Sequence, residues 1–157
     1  MALFDVRELI SMAVKDEETG IAFYKGLAKV AKTQDVKDTC MEIAQQEEGH
    51  AARFLKMLEE IGHYQPREEY AGQYDEYVRA LLNNKAFPEP EKAAEKARSV
   101  RSDVEGVLIA MSLERDALLF YQELKTLIKP EYMEYVEEII DEERGHLIDL
   151  ARLKNRL

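Results

Sequence analysis

Glu47-Glu48-Gly49-His50 sets a carboxylate and an imidazole three residues apart. On an α-helix that spacing puts both side chains on one face, one turn apart. Glu-x-x-His in this register is how a helix offers two donors to one metal ion. The motif recurs near the C-terminus as Glu143-Arg144-Gly145-His146. Two further glutamates, Glu17 and Glu114, each stand seven residues before a Phe-preceded tyrosine, Tyr24 and Tyr121. The Glu-x6-Tyr pair repeats at an offset of 97 and the Glu-x-x-His pair at an offset of 96, so the chain reads as two copies of one helical hairpin. Together the copies supply four carboxylates and two imidazoles.

The elements that must position these residues are legible from apolar periodicity. It predicts four long helices over about 5–32, 35–61, 103–128 and 131–155. Asp5 with Glu8 and Ser102 with Glu105 are N-terminal capping patterns, and Thr33-Gln34-Asp35 can cap the second helix. Gly62 suits a C-terminal stop, and Pro130 suits a first helical position. The middle connection, 63–101, is too long for an up-down-up-down bundle. It reads as a crossover with a short helix from about Tyr70 to Leu82 and a smaller piece from Glu91 to Arg98. Two antiparallel hairpins joined by one long crossover define an all-α, ferritin-like four-helix bundle, expected to be a single domain over 1–157.

Glu17, Glu47, His50, Glu114, Glu143 and His146 each fall in a seam slot that calls for an apolar side chain. Glu17, for example, lies between Val14 and Ile21, and Glu143 and His146 lie between Ile140 and Leu150. Buried carboxylates close together repel one another and are desolvated, so they require cations or protons. Two divalent ions supply that charge. Oxygen donors with some imidazole and no thiolate suit iron or manganese rather than a structural zinc.

Tyr24 and Tyr121 remain on the inner face, two turns from their glutamates, where each phenol can reach a ligand carboxylate on a neighbouring helix. Glu18, Glu48 and Glu142 point off the seam and read as a solvated face. Cys40 reads as core, and His63 receives no role. Gly49 and Gly145, matched beside the histidines, predict close packing or room near the site.

Of the 157 residues, 32 are acidic and 22 basic, a net charge of −10, with no basic cluster; this sets nucleic-acid binding aside. One cysteine allows no internal disulfide and no Cys-x-x-Cys site, which predicts a reducing, cytoplasmic setting. The start Met-Ala-Leu-Phe-Asp-Val-Arg-Glu lacks the pattern of a signal peptide, and no stretch approaches the length of a membrane span.

Glu17…Phe23-Tyr24, Ala44-Gln45-Gln46-Glu47-Glu48-Gly49-His50-Ala51, Glu114…Phe120-Tyr121 and Asp141-Glu142-Glu143-Arg144-Gly145-His146 resemble the rubrerythrin family of the ferritin-like superfamily. The resemblance spans the four long helices. It implies a non-haem di-iron protein of oxidative-stress defence that reduces hydrogen peroxide, with Glu17, Glu47, His50, Glu114, Glu143 and His146 as ligands to two iron ions, or to manganese or a mixed pair. It also implies dimerisation. Typical members add a rubredoxin-like domain with two Cys-x-x-Cys pairs. With one cysteine here, electrons are expected from a separate protein such as a rubredoxin, and the oxidant is hydrogen peroxide or oxygen. Typical members also carry an extra glutamate one turn after the third-helix ligand. Here that position is Ala117, matched by Gly20 in the first hairpin, which leaves a minimal six-ligand site. An iron-binding, ferroxidase or storage protein is the alternative, and a metal-bearing interaction module docking through the tyrosine-rich crossover is a third.

Overall fold

The computed structural model describes residues 5–62, 73–83 and 89–157, which form helices joined by short turns. In chain order the helices are α1 (Val6–Val30), α2 (Gln34–Glu60), α3 (Gln73–Asn83), α4 (Pro90–Arg98), α5 (Asp103–Leu127) and α6 (Pro130–Arg156). The long helices fall within two residues of the predicted bounds. The first residues of the helix expected from Tyr70 lie outside the described residues, as do His63, Tyr64 and Tyr70 itself. No helix among the described residues is long and apolar enough to cross a membrane.

Local chemistry sets the ends. Asp5 accepts from Arg7 N at 3.0 Å and starts α1. Ser102 Oγ accepts from Glu105 N at 3.1 Å, while the Glu105 carboxylate accepts from Arg101 N at 2.7 Å, one residue before the box partner expected. Pro130 stands in the first turn of α6. Gly62 follows α2 with φ +63°, a left-handed conformation that a Cβ disfavours. Thr33 occupies the N-cap position of α2, but its side chain does not cap. Instead, Thr33 Oγ1 and N donate to Asp103 Oδ2 at 2.9 and 2.8 Å, and Lys32 N donates to Oδ1 at 2.9 Å. One buried carboxylate at the head of α5 therefore clamps the turn between α1 and α2.

The hairpins α1–α2 and α5–α6 pack face to face, α1 against α5 and α2 against α6. Their apolar residues form two separate clusters. One joins Leu9, Ile10, Phe54, Leu124 and Ile139; the other joins Leu27, Val36, Ile43, Val107 and Leu150. Glu17, Glu47, His50, Glu114, Glu143 and His146 fall between the two sets along every long helix. The core is therefore an apolar block, a polar layer and a second apolar block. Cys40 is buried in the second block, as its seam position predicts, and burial pushes its thiol up to about 12.

The second crossover helix is part of this core. Ala93 and Ala97 of α4 are buried, and Ala97 lies against Gly26 of α1, where an added Cβ would approach the Ala97 methyl at 3.0 Å. Small residues on both helices permit that approach. Along α3, Val78 is buried and Tyr77 is exposed, with its hydroxyl donating to Glu123 Oε1 at 3.1 Å.

The Asp103 clamp generates a prediction. Asp103→Asn must turn an amide N–H toward a backbone donor, so the variant should lose about 1–3 kcal/mol in denaturant unfolding. Burial alone would raise the Asp103 pKa, but the Lys32 and Thr33 N–H groups lower it. Its contribution is therefore present above the carboxylate range and is lost as pH falls through it. The wild-type advantage over the variant should disappear in acid, with metal content of the two proteins unchanged at neutral pH.

Candidate metal centre

Each of the four long helices contributes to the polar layer at its midpoint. Glu17 comes from α1, Glu47 and His50 from α2, Glu114 from α5, and Glu143 and His146 from α6, and all six are buried. Their ligand atoms form two groups, Glu17/Glu47/His50/Glu143 and Glu47/Glu114/Glu143/His146, each with its atoms within 4.8 Å of one another. Glu47 and Glu143 belong to both. The layer is thus two half-sites: Glu17 with His50 and Glu114 with His146 at the ends, and two shared carboxylates between. The imidazoles face each other with centroids 5.7 Å apart.

The histidines aim inward through Nδ1. His50 Nδ1 lies 2.8 Å from Glu143 Oε1 and 3.4 Å from Glu17 Oε2. His146 Nδ1 lies 3.1 Å from Glu143 Oε2, 3.3 Å from Glu47 Oε1 and 3.6 Å from Glu114 Oε2. Yet His50 Nδ1, Glu17 Oε2, Glu47 Oε1 and Glu143 Oε1 are buried without a hydrogen-bond partner. Three carboxylate oxygens and a ring nitrogen, all without hydrogen-bond partners and converging in an apolar core, are not a stable hydrogen-bond network. They fit a pair of cations, and four carboxylates with two neutral imidazoles balance two divalent charges.

The outward atoms are held. Tyr24 on α1 donates to Glu114 Oε1 on α5, and Tyr121 on α5 donates to Glu17 Oε1 on α1. Each phenol thus orients the opposite hairpin's terminal carboxylate. Burial first, then the neighbouring carboxylate charge, raises both phenols well above their usual range, so they remain donors.

Each His Nε2 also has a partner that sequence reasoning missed. His50 Nε2 meets Glu142 Oε2 at 2.8 Å, and Arg53 Nη2 donates to Glu142 Oε1 at 2.7 Å. His146 Nε2 meets Gln46 Oε1. Both oxygens are acceptors, so Nε2 carries a proton, and Nδ1 is the nitrogen that would bind a metal once its own proton is displaced. This corrects the reading of Glu142 as a solvated-face residue. Partial burial would raise its carboxyl, but hydrogen bonds from Arg53 and His50 outweigh that and hold it low. The missed signal was the internal repeat itself, because Gln46 and Glu142 are its matched positions. Glu18 and Glu48 are exposed as expected, with Glu48 accepting from Lys25 Nζ at 2.6 Å.

The matched glycines resolve to the second of their two expected readings. A Cβ at Gly49 or Gly145 would meet nothing within 4 Å, so space rather than close packing surrounds them. The close approach is at Gly20, where an added Cβ would overlap Glu47 Oε2. Gly20 and Ala117 line a cavity of about 40 Å³ that reaches Glu47, Glu114 and both tyrosines between α1 and α5.

Without cations, the cluster balances its charge with protons. Burial and then the Glu143 charge raise Glu17, and push Glu114 up to about 8. Burial followed by Glu17, Glu143 and Glu114 raises Glu47. Burial alone would lower both histidines, but Glu143 with Glu17 raises His50, and Glu114 with Glu143 raises His146, each to about 10. Glu143 is pulled below its usual range: burial opposes this, and the close approach of the His146 and His50 imidazoles prevails.

The direction of these shifts fixes a pH dependence. A group whose folded pKa is raised stabilises the fold below its unfolded pKa, and that stability is lost as pH rises through the folded value. The metal-free protein should therefore lose thermal stability from about pH 5 to about pH 10, through Glu114 and the two histidines. The metal-loaded protein should not follow that slope, and loading near neutral pH should release protons, measurable in weakly buffered titrations.

Comparison with known proteins agrees with this geometry. The rubrerythrin family model matches residues 8–154. A crystal structure of a Thermotoga maritima protein, described as a ferritin-like diiron-carboxylate protein, superposes with a TM-score of 0.73 at 26% identity. The match covers 99% of this chain and 97% of that one. No curated protein matches the chain. The four-helix bundle is thus ferritin-like, and with its buried carboxylate–histidine layer the chain belongs to the rubrerythrin family.

Proposed function

We propose that the protein is a di-iron oxidoreductase that reduces hydrogen peroxide, or oxygen, with electrons from a separate donor protein such as a rubredoxin. The observation that carries this reading is the sharing of Glu47 and Glu143 between two buried half-sites. Shared carboxylates would hold two ions close enough to act on one small molecule. Similarity to a ferritin-like diiron-carboxylate protein and the all-oxygen-and-imidazole donor set support iron. Iron would supply the redox equivalents and Lewis acidity that these side chains lack.

The chain's own contribution is positioning and exclusion. Tyr24 and Tyr121 fix Glu114 and Glu17 and keep their phenolic protons at neutral pH. Glu142 and Gln46 fix the imidazole rings. The two apolar blocks exclude water on either side. The cavity beside Glu47 and Glu114, about 40 Å³, has room for a molecule of the size of water, oxygen or peroxide. It lies at Gly20 and Ala117, where a longer side chain would fill it.

Loading the metal-free protein with ferrous iron under anaerobic conditions and mixing it with peroxide or oxygen in a stopped-flow spectrometer tests the activity. Oxidation of the bound iron by at least one of the two, faster than of free iron, is expected; a loaded protein whose ferrous form ignores both overturns the oxidoreductase reading. Gly20→Ala should displace the Glu47 carboxylate from both half-sites and weaken metal binding on the order of 10–100-fold. Its helical content by circular dichroism should remain that of the wild type.

A further inference from the structure

We infer that the two half-sites are inequivalent, and that the His50 half-site binds a divalent metal first and more tightly because Glu142 stands behind its imidazole. The inference rests on the metal reading of the cluster and adds an order of filling to it.

The frame of the site is a repeat. Glu47 and His50 match Glu143 and His146, Glu17 matches Glu114, and Tyr24 matches Tyr121. By position the two half-sites would be equal. The residue before each Glu-x-x-His glutamate reaches across to the other copy's histidine, and it is here that the chemistry diverges: Glu142 behind His50, Gln46 behind His146. A carboxylate accepting the Nε2 proton leaves the imidazole a stronger donor through Nδ1 than an amide carbonyl does. The support is also unequal one step further out. Arg53 binds the Glu142 oxygen that His50 does not use, holding the carboxylate ionised and in place. The repeat position of Arg53 is Asp149, an acidic residue, so the repeat does not supply Gln46 with the cation that it gives Glu142.

The placement of these residues makes the difference testable. Gln46, Gly49, Arg53 and Glu142 line a solvent-facing groove between α2 and α6, outside both apolar blocks. Substitution there need not repack the core. In Glu142→Gln the side-chain carbonyl can still accept from His50, so the tautomer is kept, while the weaker acceptor and the amide NH2 turned toward Arg53 remove both parts of the support.

The experiment adds one equivalent of Co2+ to metal-free protein and locates it by anomalous scattering in crystals, alongside a stepwise Co2+ titration in solution. Four proteins are compared: wild type, Glu142→Gln, Gln46→Glu, and the double variant Gln46→Glu/Glu142→Gln. The wild type should place the first ion beside His50 and show two affinities separated on the order of 10-fold or more. Either single variant should bring the two affinities together and divide the density. The double variant, with unchanged net charge, should restore the separation and move the first ion to His146. A purely structural role for Glu142 would not invert the preference. Equal occupancy in the wild type, or an unchanged preference in the double variant, would overturn the inference. Failure of Co2+ to enter either half-site would instead overturn the metal reading beneath it.

Discussion

Four carboxylates buried in the middle of an apolar bundle are the constraint around which this protein is organised. Glu17, Glu47, Glu114 and Glu143 are each at most 5% exposed. Bare, such a layer would be expelled or protonated, because desolvation and mutual repulsion both oppose the charged form. The structure meets this in three ways. Inward oxygens of Glu17, Glu47 and Glu143 and the Nδ1 of His50 are without hydrogen-bond partners and open to cations, outward oxygens of Glu17 and Glu114 are tied to tyrosines, and apolar blocks above and below keep the layer dry. Folding stability and metal affinity are then linked quantities, since whatever balances the layer also stabilises the bundle.

Repetition explains how a short chain builds such a layer. One hairpin carries a glutamate on its first helix and Glu-x-x-His on its second, and the other hairpin carries the same. Facing them generates two half-sites that share their middle ligands. The reciprocal bonds follow the same logic: Tyr24 serves Glu114 while Tyr121 serves Glu17, and Gln46 serves His146 while Glu142 serves His50. Each hairpin completes the other's ligands. Neither hairpin holds a complete half-site alone, so the polar layer specifies how the hairpins must meet. Divergence at one position of the repeat then suffices to make the halves chemically different.

Much of this was legible in the sequence, for a physical reason. Helices write burial as a period of 3.6, so six polar residues in apolar slots stand out, and a repeat removes the ambiguity of a short motif. What was not legible depends on contacts between helices. Glu142 and Gln46 sit one residue off the seam, where periodicity assigns a solvated face; only the crossing of α2 and α6 brings them to the opposite histidine. Gly20 looks unremarkable in a helix until the carboxylate of Glu47 is placed against it. The burial of Ala93 and Ala97 against α1 is likewise hidden, because alanine carries little signal of which side it faces. Gly49 and Gly145 left close packing and open space both possible from sequence, and only the packing shows that it is space.

The central claim is that the layer holds a pair of metal ions, and metal content per chain tests it most directly. Protein loaded anaerobically with ferrous iron, freed of loosely bound metal and measured by elemental analysis should retain about two ions per chain. Retention of fewer than about one ion per two chains, with the bundle still folded, would contradict the account, because the orphaned atoms of Glu17, Glu47, His50 and Glu143 would then need another explanation.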